Sequence, residues 1–203
     1  MNFSSETIEN AVEQLSRFPG IGKKTALRMT LFLLKDKPEQ VERMVQAISD
    51  LKTKVHYCKN CGNVCDDELC SICLSVNRNK KLICVVKEFQ DIISIENTGQ
   101  FNGVYHVLGG VIAPMEGVGP DDIAIAQLLK RVEDDQVEEI VFALSANMEG
   151  DTTAFYISRK LEPFQTRISA ISRGIAVGGE LEYADEITLG RSILNRVPYR
   201  VNS

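Results

Sequence analysis

Cys58-Lys59-Asn60-Cys61-Gly62-Asn63-Val64-Cys65-Asp66-Asp67-Glu68-Leu69-Cys70-Ser71-Ile72-Cys73 separates two kinds of sequence in this chain. Cys58-x2-Cys61 is followed, after eight intervening residues, by Cys70-x2-Cys73. Two such pairs, each on a tight knuckle, bring four thiolates within tetrahedral reach of one Zn²⁺. Four protein ligands close the coordination sphere and leave no position for a catalytic water, so the expected role is structural. The metal substitutes for a hydrophobic core in a segment too short and polar to build one. A pair of disulfides is the alternative, disfavoured in a reducing cytosol. Cys65, between the pairs, and His56, just before them, are competing ligands; Cys84 lies in an apolar run and reads as a core residue.

On the N-terminal side the pattern is helical. Ile8, Val12 and Leu15 recur at helix spacing behind Ser4 or Ser5 as a cap; Leu27, Leu31 and Leu34 mark a second helix. Lys37-Pro38 opens a third, striped by Val41, Val45, Ile48 and Leu51. On the C-terminal side the texture becomes α/β. Leu82–Val86, Val104–Leu108, Glu139–Leu144 and Arg167–Ile171 read as strands, with helical patterns over 121–133 and 151–162. Such alternation implies a buried, mostly parallel sheet. The Gly/Pro-rich stretch 109–120 is a long loop, either functional or well packed, and Glu186–Asn195 reads as a last helix. The expected organisation is a helical unit over 1–54, a zinc segment over 55–80, an α/β domain over 81–175 and a C-terminal segment over 176–203.

The 203 residues carry a formal charge of −5, with 44% apolar and 25% charged residues, ordinary for a soluble globular protein. No segment reads as a membrane span, and Met1-Asn2-Phe3-Ser4-Ser5-Glu6 has neither the basic leader nor the apolar core of a signal peptide. The expected location is cytoplasmic. Charge is uneven: residues 17–54 hold nine basic and four acidic residues, while 81–203 hold eleven and eighteen. A basic stretch on an acidic body is a nucleic-acid face or simply a solvated helix surface.

Phe18-Pro19-Gly20-Ile21-Gly22-Lys23-Lys24-Thr25-Ala26 joins the first two helices by a short turn. Glycines there permit positive φ and close approach of another backbone. Their amides, with the free N–H groups opening the second helix, form an anion site aided by the helix dipole. Lys23, Lys24 and Arg28 add cations beside it. Contact through Gly20, Gly22, Lys23, Lys24, Thr25 and Arg28 is to phosphate and carries no base information. The pattern resembles the helix-hairpin-helix DNA-binding motif. A nucleotide P-loop fails at Arg17 and Lys24, and no strand precedes it.

Ala143-Leu144-Ser145-Ala146-Asn147-Met148-Glu149-Gly150-Asp151 resembles the acidic loop of Toprim domains, in which carboxylates hold Mg²⁺ for phosphoryl transfer. Here Ser145 and Asn147 stand where the aspartates belong, and Lys87 where a glutamate does. Glu88 substitutes only if its strand has already ended. Glu149 and Asp151 remain, as an acidic patch or as caps of the following helix.

The order of these parts resembles the bacterial recombination mediator family RecR over essentially the whole chain. The stretches that carry the likeness are Leu15–Gly22, the paired cysteines, Tyr105–Gly110, Pro114, Gly117–Pro120, Glu149–Asp151 and Gly174–Glu186. The resemblance implies a DNA-binding, non-enzymatic protein that assembles as a dimer to tetramer, in a ring-like clamp. It implies action with RecO and RecF to load RecA on single-stranded DNA, with Glu88, Glu149 and Asp151 as a partner-binding patch. The family's C-terminal segment is sometimes described as Walker-B-like, and Glu180, Glu182, Asp185 and Glu186 are acidic enough; without a P-loop, ATP hydrolysis is not expected. Two rival classes stay open at this point: a magnesium-dependent Toprim nuclease or nucleotidyl transferase using Glu88, Glu149 and Asp151, and a zinc-stabilised scaffold that never touches DNA.

Overall fold

The computed structural model describes residues 4–175 and 178–198. The chain divides after Val55 into two compact units.

The first unit is helical. Helix α1 (Glu6–Leu15) starts where the Ser5 hydroxyl accepts the Ile8 N–H at 3.4 Å. Helices α2 (Lys23–Lys35) and α3 (Pro38–Thr53) follow, the second opened by proline, whose missing N–H costs nothing there. Among the described residues of this unit only Val12, Ala26 and Thr30 are buried. Ala26 is fully covered where α1 packs on α2. The apolar stripe expected to bury α3 does not do so: Val45, Ile48 and Leu51 are exposed, as are Phe32 and Leu34 of α2. Helical periodicity was enough to place these helices, but the unit buries little apolar surface of its own.

The second unit begins with the cysteine segment. A two-residue hairpin, β1 (His56–Tyr57) against β2 (Val64–Cys65), leads to a one-turn helix α4 (Ser71–Leu74). Next come β3 (Asn79–Val86), α5 (Phe89–Glu96), β4 (Gly103–Val107), α6 (Ile125–Asp135), β5 (Glu139–Ala143), α7 (Met148–Leu161), β6 (Arg167–Ala170) and α8 (Glu186–Leu194). The four longer strands form one sheet in the order β4-β3-β5-β6, parallel throughout. Ile83 of β3 stands opposite Val104 and Ile140, and Ile140 opposite Ile168.

One face of the sheet, with Ile83, Val85, Val104 and Ile140, packs on Leu128 of α6 and on Ile157 and Leu161 of α7. The other, with Cys84, Val86, Tyr105 and Val107, packs on Ile92 of α5. Cys84 is a core residue, and burial pushes its thiol up to about 12. Helix α5 is an addition to the expected elements. Its eight residues are too few to show a clear period, and it starts on a local signal, the Asp91 carboxylate accepting the Glu88 N–H at 2.9 Å.

The 109–120 stretch is packed at its base. Val111, Ile112 and Ala113 are buried, Ala113 and Val118 form a bridge, and the Ile112 N–H donates to Thr153 Oγ1 at 2.8 Å. The outer edge of β4 is covered as well: the Cys61 carbonyl accepts the Val107 N–H at 2.8 Å, and the buried Arg131 donates to the Tyr105 carbonyl at 2.6 Å. Arg78 closes the cysteine segment onto this edge, bonding Glu96 and the carbonyls of Phe101 and Gly103. Ala176 and Val177, inside the C-terminal stretch that carries part of the family likeness, lie outside the described residues.

Candidate metal centre and nucleic-acid interface

Cys58, Cys61, Cys70 and Cys73 are all buried, with their Sγ atoms within 4.8 Å of one another. Cys61 and Cys70 Sγ stand 3.6 Å apart. Sulfurs about 2.3 Å from a tetrahedral Zn²⁺ are about 3.8 Å from each other, so the set fits the ion. The backbone is arranged for anionic sulfur: Cys70 N–H donates to Cys58 Sγ at 3.3 Å and Cys73 N–H to Cys70 Sγ at 3.5 Å. Hydrogen bonding with its neighbours holds the Cys70 thiol far below, and the Cys61 thiol far above, the ordinary range. Without a cation at the centre, one thiolate is stabilised at the expense of the next. The four cysteines hold one structural zinc.

Neither competitor joins them. Cys65 turns its Sγ to the Asp67 carbonyl at 2.9 Å, and His56 lies exposed on β1. Gly62, at φ +75°, seats the first knuckle on β4, where an added Cβ would come within 3.2 Å of Val107 Cβ. The metal site is thereby continuous with the sheet.

The elbow between α1 and α2 is exposed from Arg17 to Gly20 and again from Gly22 to Thr25, with Arg28 exposed one turn on. Ile21 N–H donates to the Phe18 carbonyl at 3.0 Å, closing a turn in which Gly20 takes φ +78°. Gly20 needs to be glycine for that reason. Gly22 does not use the positive-φ freedom that glycine permits. It is the N-cap of α2 at φ −83° and ψ 164°, with no side-chain cap, and an added Cβ would meet nothing within 4 Å. Its own fold gives no steric reason for glycine. What it leaves is a bare helix N-terminus with Lys23, Lys24 and Thr25 around it.

The acidic positions are less free than their sequence implies. Asn147 Oδ1 accepts the Gly150 N–H at 2.9 Å, so the residue at a Toprim aspartate position caps α7. Gly150 is tightly fitted, since an added Cβ would lie 2.1 Å from the Ser145 carbonyl oxygen. Asp151 receives Arg173 Nη2 at 2.6 Å on one oxygen and Arg191 Nη2 at 3.8 Å on the other. The Arg173 hydrogen bond and both positive charges hold its carboxyl below the usual range. These two arginines, in the loop after β6 and in α8, have no signal near Asp151 in the sequence. Strand β3 has ended before Glu88, whose carboxylate lies 3.4 Å from Lys87 Nζ. Glu149 is half-buried at the start of α7. Among the described residues, Glu88, Glu149 and Asp151 do not gather as a metal-ligand cluster; the four cysteines do.

Models of known families cover nearly all of this chain. Residues 8–52 match the RecR helix-hairpin-helix, 55–75 the RecR four-cysteine zinc finger domain, 81–172 the Toprim domain and 174–197 the RecR C-terminal region. The recombination protein RecR of Amoebophilus asiaticus is 53% identical over 199 residues, 98% of this chain and all of that protein. Those of Parabacteroides distasonis and Flavobacterium johnsoniae are 52% and 53% identical, over 99% and 98% of this chain and 97% of each relative. The chain belongs to the RecR family. The RecR zinc-finger match spans His56 and Cys65 as well as the four ligands. The RecR C-terminal match contains Glu180, Glu182, Asp185 and Glu186, with Asp185 Oδ1 capping α8 through the Thr188 N–H at 2.8 Å. Among the described residues no helix is long and apolar enough to cross a membrane.

Proposed function

We propose that this RecR-family chain acts in recombinational DNA repair in the bacterial cytoplasm, at the nucleoid, by gripping the DNA backbone without chemistry of its own. Phosphate is bound by the elbow amides at Gly20 and Gly22 and by Lys23, Lys24, Thr25 and Arg28. The observation that carries this is Gly22, a glycine its own fold does not require, at an uncapped helix N-terminus flanked by exposed cations. A phosphate is the ligand that such an opening accommodates.

One elbow neutralises only a few phosphates, so a single copy binds weakly and salt-sensitively. Repetition in a dimer or tetramer, closed as a ring-like clamp, raises the effective concentration of the remaining contacts. The exposed apolar residues of α2 and α3 support self-association. So does a groove of about 560 Å³ whose apolar lining is Met29, Phe32, Leu33 and Met44. The acidic patch of Glu88 and Glu149, with Asp151 shared between it and two arginines, faces RecO and RecF, and together they load RecA on single strands. The segments 1–54, 55–80, 81–175 and 176–203 then serve as DNA grip, zinc brace, partner domain and subunit contact.

Lys24→Glu with Arg28→Glu tests the grip. Removing one cation from a phosphate lowers the slope of log affinity against log salt by about one. The double variant loses DNA binding at modest salt while solution mass and zinc content stay as in the wild type. Unchanged affinity overturns the assignment.

A further inference from the structure

The phosphate grip does not by itself distinguish one strand from two, because backbone contacts carry no such information. The elbow holds one group that does. Phe18 sits in it with 52% of its surface exposed; among the described residues of this unit the buried ones are Val12, Ala26 and Thr30, which leaves Phe18 out of the core. The turn is stiff, since Pro19 fixes one backbone angle, Gly20 takes φ +78°, and the Phe18 carbonyl is tied to the Ile21 N–H. Such a turn keeps the ends of Phe18–Ile21 within about 7 Å. The bare N-terminus of α2 begins at the next residue, Gly22. A phosphate held there brings the base of its own nucleotide within reach of the phenyl ring.

We infer that Phe18 is a stacking platform for an unpaired base and gives the elbow its preference for single-stranded over double-stranded DNA. In a duplex both faces of each base are already covered by neighbours, whereas an unpaired base offers a free π-face to an aromatic ring. A second copy of this chain is a poorer occupant. Arg17, Lys23 and Lys24 surround Phe18 in sequence and are exposed, so a two-fold contact through the elbow sets like charges against each other. A polyanion is complementary to the same charges. The inference rests on the proposal that the elbow binds DNA.

The chain contains no tryptophan, so Phe18→Trp in the full-length, zinc-loaded protein is a single reporter at the elbow. Its emission is read against oligo-dT and against a duplex of the same length, while labelled-DNA anisotropy records binding independently. The expected result is quenching that saturates with oligo-dT binding and is weak with bound duplex. Phe18→Ala lowers single-strand affinity by about 5- to 150-fold, the range for removal of one base stack, and leaves duplex affinity unchanged. Binding of oligo-dT without quenching, or equal losses on both DNAs in Phe18→Ala, overturns the inference and leaves the phosphate grip standing. An emission change with protein concentration in the absence of DNA also overturns it, since Phe18 then lies between subunits. A wild-type protein that binds neither DNA overturns the grip itself and the stacking with it.

Discussion

Gly22→Asp separates the two reasons a helix can begin on glycine. The backbone at Gly22 (φ −83°, ψ 164°) is one that any residue adopts, and a Cβ there meets nothing within 4 Å. Aspartate is among the best N-caps, because its carboxylate accepts first-turn N–H groups and suits the positive end of the helix. The cap is worth a few tenths of a kcal/mol over glycine, and the loss of glycine's freedom in the unfolded chain adds about 0.4–1 kcal/mol. The variant is therefore more stable by about 1 kcal/mol, which raises the Tm of a small unit by about 5 °C. The same carboxylate occupies the place proposed for phosphate and repels it. Removal of one charge-assisted hydrogen bond costs about 1.5–3 kcal/mol, or about 10- to 150-fold in affinity. Thermal melts by circular dichroism and anisotropy of a labelled oligonucleotide at low salt measure the two effects on one preparation, and they move in opposite directions. A stabilised variant that binds DNA like the wild type refutes the amide site; a destabilised one refutes the backbone reasoning behind it.

Two further predictions concern the brace and the core. Cys70→Ser loses the zinc and, through the Cys61 carbonyl bond to Val107, lowers the hydrogen-exchange protection of β4, whereas Cys65→Ser keeps one zinc per chain by elemental analysis; loss of metal in Cys65→Ser would contradict the assignment. His106 is buried with Nε2 on the Ala124 carbonyl at 2.8 Å and Nδ1 unpartnered, and burial, with the Arg131 charge nearby, lowers it from 6.5 to about 4. The unfolded chain takes up this proton near its ordinary value and the native chain only near the lower one. The stabilisation is thus complete above about pH 6.5 and shrinks as pH falls, by about 2 kcal/mol at about pH 5. His106→Gln removes that part of the pH dependence in urea unfolding, and equal pH slopes in the two proteins would show that His106 titrates normally.

The four cysteines, the elbow and the parallel sheet were all legible in the residues, because each rests on local spacing. A Cys-x2-Cys knuckle, a glycine turn between two apolar stripes and a run such as Leu82–Val86 each carry their physical reason within a few residues. The roles of the acidic positions were not legible. Asp151 is engaged by Arg173 and Arg191, and the arginines arrive from the loop after β6 and from α8. Helix α5 was missed because its eight residues lean on one capping carboxylate rather than on a repeating face. The stripe Val45, Ile48, Leu51 placed the helix but not its exposure, since periodicity says which side is apolar and not whether anything covers it.

Sequence alone thus determined the parts and their order: a helical hairpin, a four-thiolate metal site, an α/β domain and a last helix. Tertiary structure alone decided which groups remain available to a ligand. It showed that Gly20 is spent on a left-handed turn while Gly22 is not, and that Cys65 turns away from the metal cluster. It also showed that the first zinc knuckle closes the edge of β4. Spacing along a chain dictates which side chains share a face, but whether a polar group is already satisfied depends on partners that only the folded chain brings within hydrogen-bond distance.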